Sequence, residues 1–346
     1  MPPGCAQSRN TGGHPSMQRR SLLAALALAP AALPRPGFAQ GAAGGWRPSR
    51  PVTMLVPFAA GGPTDVMARL LALRMSERLG RPIAVENAGS AGGIVGTQRL
   101  ARAAPDGHTF GLGHMGTHAA NVSFYRRLPY DPVADFEPVG QYATNPMILG
   151  VHPSIGGNAQ EVSAWIAAHP GELTVANAGN GSVSYLGALL FNRVFQAKAT
   201  LVPYRGAGPA LQDTVNGVTH AVVDQALTVI PQVQSGGLKG ICVTVPRRLP
   251  QVPDLPSSAE IGKPDFDIAV WNGAFVPKGT PAEIVRSLAA TLNETLEDPL
   301  IRERFAALAV EIPPVAERGP EPLRRLIASE IARWRQVASD AGVVPE

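Results

Sequence analysis

Few side chains in this sequence have the type and spacing to do chemistry. Ser182 follows Gly179-Asn180-Gly181 and could act as a nucleophile with His220 as its base. The G-x-S-x-G elbow that would support this is absent, and no spacing ties Ser182 to His220. His114 and His118 stand four residues apart and could share a helix face toward a metal ion. No third ligand lies nearby, so a loop histidine and a cap compete with that reading. Asp65 could meet a cation on a ligand, or simply sit in the favourable first turn of a helix. Asp224, at the end of an apolar run, could touch a ligand or hydrogen-bond a loop. Tyr185 and Tyr204 sit near glycine-rich turns, where an aromatic ring can line a crevice or pack. The dinucleotide fingerprint, the phosphate-binding P-loop and the H-E-x-x-H zinc motif are all missing. A catalytic site also wants a base or nucleophile with an identified partner, and the sequence offers none.

What recurs instead is a backbone device. Residues 52–56 are an apolar run suited to a strand covered on both faces. Gly61-Gly62 then permits a tight turn, Pro63 suits a first helical position, and residues 64–79 read as a helix. Its apolar face is expected from Val66, Leu70, Leu71, Leu73, Met75 and Leu79. The strand at 81–87 repeats the device through Ala91-Gly92-Gly93, with a helix over 94–104. Asn177-Ala178-Gly179-Asn180-Gly181-Ser182 repeats it again between a strand at 173–176 and a helix over 183–196. Each joint exposes free N–H groups and the positive end of a helix dipole, which suits an anion such as a carboxylate.

Further strands are expected at 109–113, 139–151, 200–204, 221–225, 238–245 and 268–276. Helices are expected at 159–169, up to 215, 281–296, 299–310 and 321–341, with Trp271 and Trp334 in the core. Residues 128–138 are punctuated by prolines and read as an irregular loop. Strands alternating with helices across short loops predict an α/β protein with parallel sheets in two lobes and a ligand between them.

The bulk properties agree. A chain of 346 residues with 45% hydrophobic and 16% charged residues fits a globular protein of one large or two medium domains. The net charge of +4 includes no Lys/Arg run with interleaved aromatics, so no nucleic-acid partner is expected. Cys5 and Cys242 supply neither a disulfide framework nor a cysteine metal site. No cofactor and no metal are expected. Residues 17–39 resemble a secretory signal: Arg19-Arg20, an apolar stretch to Leu33, and Gly37-Phe38-Ala39. Cleavage is expected after Ala39, with translation starting at Met17, and Arg19-Arg20 also permits twin-arginine export. The apolar run is too short, and too broken by Pro30 and Pro34, to anchor in a membrane.

A set of motifs in order carries a family resemblance. They are Val56-Pro57-Phe58 with Gly61-Gly62 and Asp65, Glu86-Asn87 with Ala91-Gly92-Gly93 and Gly96, and Pro105-Asp106-Gly107. Leu128-Pro129-Tyr130-Asp131-Pro132, Val202-Pro203-Tyr204-Arg205-Gly206, Val252-Pro253-Asp254-Leu255-Pro256, Trp271 with Gly273, and Gly279-Thr280-Pro281 follow. Over about residues 50–345 the chain resembles the periplasmic substrate-binding proteins of tripartite tricarboxylate transporters, the Bug proteins.

The resemblance implies a two-lobed, flytrap-like periplasmic binding protein of type II, each lobe a mostly parallel sheet flanked by helices. It would be a monomer, not an enzyme, delivering a small carboxylate (dicarboxylate, amino acid or aromatic acid) to membrane permease subunits. The lobes would comprise residues 40–144 plus 270–346, and 145–269. The ligand-binding residues it implies are Phe58, Ala59, Ala60, Gly61, Gly62, Thr64 and Asp65, with Ala91, Gly92 and Thr117, from one lobe. Ala178, Gly179, Ser182, Ser184, Tyr204 and Asp224 would come from the other. Two departures bear on the ligand: Ala59-Ala60 stand where prolines are usual, and Tyr185 where a histidine is frequent. A periplasmic sensor would use the same site, and a small-ester hydrolase using Ser182 is the reading from a different class.

Overall fold

The computed structural model describes residues 45–340 and 342–345, so the expected export segment, with Met17, Cys5 and the cleavage after Ala39, lies outside it. No helix among the described residues is long and apolar enough to cross a membrane.

The chain opens with three strands, β1 (Val52–Val56), β2 (Ile83–Asn87) and β3 (Thr109–His114), joined by helices α1 (Pro63–Leu79) and α2 (Ile94–Ala101). A π-helical turn, Gly116–Ala120, leads through the short helix α3 (Asn121–Phe124) to the long strand β4 (Phe136–Val151). The second set follows: α4 (Ala159–Ala168), β5 (Thr174–Asn177), α5 (Val183–Phe195), β6 (Thr200–Pro203), α6 (Ala207–Val215), β7 (Ala221–Gln225), α7 (Ala226–Gln234) and β8 (Lys239–Val243). Strand β9 (Ala269–Pro277) returns, and helices α8 (Ala282–Leu296), α9 (Pro299–Ala307) and α10 (Pro320–Asp340) finish the chain.

The strands form one curled sheet in the order β2-β1-β3-β9-β4-β7-β5-β6, with β8 also on β4. Parallel pairing holds where βαβ crossovers dictate it: β1 with β2 and β3, and β5 with β6 and β7. β4 and β9 add antiparallel pairings at the centre. The molecule is thus a two-lobed α/β protein. β4 pairs with β9 from Phe136 to Pro146, then with β7 and β8 from Met147 onward. Beside this change of partner, the Thr244 hydroxyl accepts the Met147 N–H at 3.1 Å and donates to the Ile268 carbonyl at 2.7 Å. One side chain therefore ties β4 to the residue that leads into β9.

Three expectations are corrected. The loop read over 128–138 gives way to strand at Phe136, because the pairing register slips between Pro138 and Gly140 and the proline sits at that bulge. The buried row of α1 is Met67, Leu71, Met75 and Leu79, spaced four apart, while Leu73 is exposed and Val66 and Leu70 are half-buried. Helix α7 fills the stretch between the strands expected at 221–225 and 238–245, where no helix is expected.

An apolar cluster spans both lobes, with Phe136, Trp271 and Phe275 joined to Val175, Phe191 and Val223. Trp334 packs in the same cluster, as its core placement anticipated. A second cluster buries Met54, Leu71 and Phe110 under α8, and a third packs α7 against β7 and β8.

Candidate functional site

Helices α1, α5 and α6 begin at one small cavity of about 20 Å³ between the lobes. Phe58, Gly62, Pro63 and Thr64 border it from the β1–α1 joint, with His114 at the end of β3. Opposite stand Ala178, Ser182, Val183 and Ser184 of the β5–α5 joint, Ala207 at the start of α6, and Asp224 and Gln225 closing β7. No Lys or Arg lines this cavity.

The first joint is organised by Asp65. Its carboxylate accepts the Gly61 N–H at 3.0 Å and the Asn87 amide at 3.0 Å, and pairs with Arg69 at 3.0 Å. Burial alone would raise its pKa, but the Arg69 hydrogen bond, the Gly61 N–H and Asn87 outweigh it and hold the carboxyl below its ordinary value. Asn87 also donates to the Phe58 carbonyl at 3.2 Å, so the turn is braced from both sides. Gly62 caps α1 with no side-chain hydrogen bond.

The joint at α5 is held from within. Asn177 accepts the Gly179 N–H at 2.9 Å, and Ser184 accepts the Ala178 N–H at 2.8 Å. Ser182 accepts the Tyr185 N–H at 3.2 Å as the helix cap, with its oxygen 3.2 Å from that of Ser184. Gly179 and Gly181 take φ of 99° and 76°, where a side chain is strained. At α6 the cap is Gly206, again without a side-chain bond. Two of the three helix starts therefore leave backbone donors and the positive dipole end free of side-chain acceptors.

Of the residues expected to bind ligand, Phe58, Gly62, Thr64, Ala178, Ser182, Ser184 and Asp224 border the cavity. The others stand around it. Ala59 and Ala60 meet the approach to α6, where a Cβ on Gly206 would lie 2.9 Å from the Ala59 Cβ and one on Gly208 3.4 Å from the Ala60 carbonyl. Gly61 and Asp65 are bonded to each other, and Gly179 is bonded to Asn177. Ala91 and Gly92 belong to the short turn Ala91–Gly93, and a Cβ on Gly92 would stand 2.2 Å from the Asn180 carbonyl. Thr117 lies behind the wall, its hydroxyl accepting the His114 N–H at 3.0 Å. Tyr204 turns aside: its hydroxyl donates to Asp213 at 2.7 Å, and burial together with that carboxylate pushes the phenol up to about 12.

His114 was not among the residues expected to bind. Its ring stacks on Phe58 at 4.8 Å between centroids, and Nδ1 accepts the Gly116 N–H at 3.0 Å. Burial lowers its pKa to about 4, so the ring is neutral and its proton sits on Nε2. His118 lies 3.7 Å over Phe275, and burial, with His114 nearby, lowers it to about 3. Its Nδ1 is 2.9 Å from the Thr117 hydroxyl, so the two histidines serve the π-helical turn and not a shared metal face. Among the described residues no three His, Cys, Asp or Glu side chains are grouped to hold a metal ion.

Asp224 is fully buried, which raises its pKa to about 7, and it accepts the Thr228 hydroxyl at 3.3 Å. His220 precedes β7, whose other end carries Asp224 at the cavity, and it is bonded to Thr174 at the start of β5. His220 is therefore not the base that Ser182 would need in a hydrolase.

The lobes touch across the cleft. Tyr125 donates to the Asn180 carbonyl, a Cβ on Gly181 would strike the Asn121 side chain at 2.0 Å, and one on Gly116 would strike the Gly181 carbonyl at 2.6 Å. Such a site can hold an anion by backbone donors without proton transfer.

Comparisons with known proteins bear on the family and the fold. Residues 67–343 match the family described as the tripartite tricarboxylate transporter family receptor. BugT of Bordetella pertussis is 35% identical over 299 residues, covering 85% of this chain and 90% of BugT. MatC of Rhodopseudomonas palustris, solved with bound malate, is 40% identical at a TM-score of 0.81, over 84% of this chain and 99% of MatC. A second protein of that organism, solved with adipate, is 34% identical at a TM-score of 0.82, over 86% of this chain and 99% of its own.

Proposed function

We propose, since this chain belongs to the tripartite tricarboxylate transporter receptor family, that it captures a small carboxylate between its lobes and delivers it to a membrane permease. It is a solute-binding receptor and not an enzyme. The observation that carries the ligand class is the meeting of three helix N-termini, two without side-chain caps, at a cavity with no Lys or Arg. A carboxylate there is held by N–H donors and helix dipoles. The bound malate and adipate of the two related structures support the same class.

In this reading Gly62, Thr64, Ala178, Ser182 and Ser184 touch the ligand carboxylate, and Gly61 and Asp65 shape the turn that presents them. Ala59, Ala60, Gly92, Thr117 and Gly179 form the surrounding shell, and Ala91 belongs to the same short turn as Gly92. The cavity has room for about one water, so an acid enters only when the lobes part. The division at 144/145 and 269/270 is supported by the change of β4's partners and by the Thr244 bonds to β4 and to the residue that leads into β9. Export by the signal over residues 17–39, with cleavage after Ala39, places the receptor in the periplasm.

Thermal unfolding of residues 40–346 against a panel of small carboxylates tests this. A ligand of the folded state raises the midpoint. A shift confined to acids supports the reading. No shift with any acid, for protein shown by mass spectrometry to be free of bound ligand, overturns it.

A further inference from the structure

We propose that His114 is a ligand-contacting residue, and that His114 and Asp224 together select carboxylates bearing a hydroxyl group. The proposal rests on the carboxylate reading above and specifies which acids the site prefers.

The two residues come from different lobes and border the same cavity, His114 closing β3 and Asp224 near the end of β7. Both are buried, at 2% and 1% exposure. The Gly116 N–H occupies Nδ1 of His114, and Thr117 fixes the backbone of the same residue. Phe58 holds the face of the ring. What this neutral ring has left to offer is one donor, Nε2–H. Asp224 is its complement. It accepts the Thr228 hydroxyl and a backbone hydrogen bond from Gln225, and a carboxylate has lone pairs for a further donor.

No other charged side chain borders the cavity, so neither residue is matched by a Lys or Arg. A methyl or methylene group between them would leave a buried donor and a buried acceptor unpaired, which is the arrangement that discriminates most strongly. A second carboxylate in that place would satisfy His114 and repel an ionised Asp224. A hydroxyl satisfies both: its oxygen accepts from Nε2–H while its proton is donated to the Asp224 carboxylate. Burial raises Asp224 to about 7, and this donor would favour its ionised form.

The test is calorimetric titration of residues 40–346 with paired acids that differ only in a 2-hydroxyl: malate against succinate, and lactate against propionate. The hydroxy acid is expected to bind at least about tenfold more tightly, the yield of one well-made hydrogen bond to a charged group. His114→Phe keeps a ring on Phe58 but loses both Nε2–H and the Nδ1 acceptor of the Gly116 N–H; the unliganded melting midpoint should fall by a few degrees, and the ratio in the folded variant should fall toward one. His114→Gln, which restores a donor, should recover part of the preference. If the Phe variant does not fold, 2-methoxysuccinate on the wild-type protein decides: it can accept from His114 but cannot donate to Asp224, and should bind no better than succinate. Equal binding of hydroxy and deoxy acids overturns the selectivity and leaves the carboxylate reading standing. An undiminished preference in the folded Phe variant removes His114 from the site. Failure to bind any acid sinks both readings together.

Discussion

Tyr125 donates its hydroxyl to the Asn180 backbone carbonyl at 2.5 Å, a bond that runs from the end of α3 in one lobe to the β5–α5 turn of the other. Such a contact exists only while the lobes are together, so it biases the closed state by its own free energy. Tyr125→Phe should cost the closed form about 1 kcal/mol and weaken ligand binding roughly fivefold. Most of the loss should be in the dissociation rate, read by stopped-flow fluorescence. An unchanged dissociation rate would mean that the bond does not hold the cleft shut.

Gly92 bears on closure more severely. It sits at φ 62°, and a Cβ would stand 2.2 Å from the Asn180 carbonyl, which is backbone and cannot swing away. Gly92→Ala should leave the cooperative melt of the unliganded protein in place and reduce affinity by about 100-fold or more, since closure must then proceed against the clash. Small-angle scattering should show a more extended particle than wild type with ligand present.

The Asp65 carboxylate matters through the turn it braces. Asp65→Ala strips the acceptor from the Gly61 N–H and the Asn87 amide. The expected cost is about 1–3 kcal/mol of stability together with weaker ligand binding. Because Arg69, Gly61 and Asn87 outweigh burial and hold the folded pKa below 3.8, this contribution is present above pH ~4 and is lost as pH falls through the lowered value. Wild type and variant should therefore converge in acid, as measured by circular dichroism melts across pH.

Asp224 gives the opposite sign. Burial raises its folded pKa from 3.8 to about 7, so the folded state binds more protons than the unfolded one between those values. Stability from this residue is full below the unfolded pKa and falls as pH rises through about 7. Asp224→Asn should match wild type near pH 4 and exceed it by a few kcal/mol near pH 8, in the absence of ligand. A pH profile of wild type parallel to that of the variant would show that Asp224 ionises normally.

The glycine joints were legible in the sequence because their geometry is local. Gly61-Gly62-Pro63 and Gly179-Asn180-Gly181-Ser182 each specify a turn and a helix start within a few residues. The rest needs long-range information. Tyr204 is expected at the ligand, and only the fold shows that its hydroxyl donates to Asp213 in the helix that follows. The apolar pattern puts Leu73 on the inner face, whereas packing against the sheet selects the row through Met67 and Leu71. Helix α7 carries Pro231 inside it, a residue that argues against a helix when only the sequence is read. His114 reads from the sequence as a metal ligand or a loop residue, because only the fold brings it to the same cavity as Asp224. Its signal was present in Thr117, whose side chain closes the turn back onto the His114 backbone.

The uncapped starts of α1 and α6 have a consequence for how this receptor can change over generations. The donors they present are peptide N–H groups, which only a change to proline can delete. Mutation can still alter the side chains around them, such as Phe58, His114 and Asp224. Preference among acids is then free to drift one substitution at a time, while the hold on the carboxylate is inherited with the backbone itself.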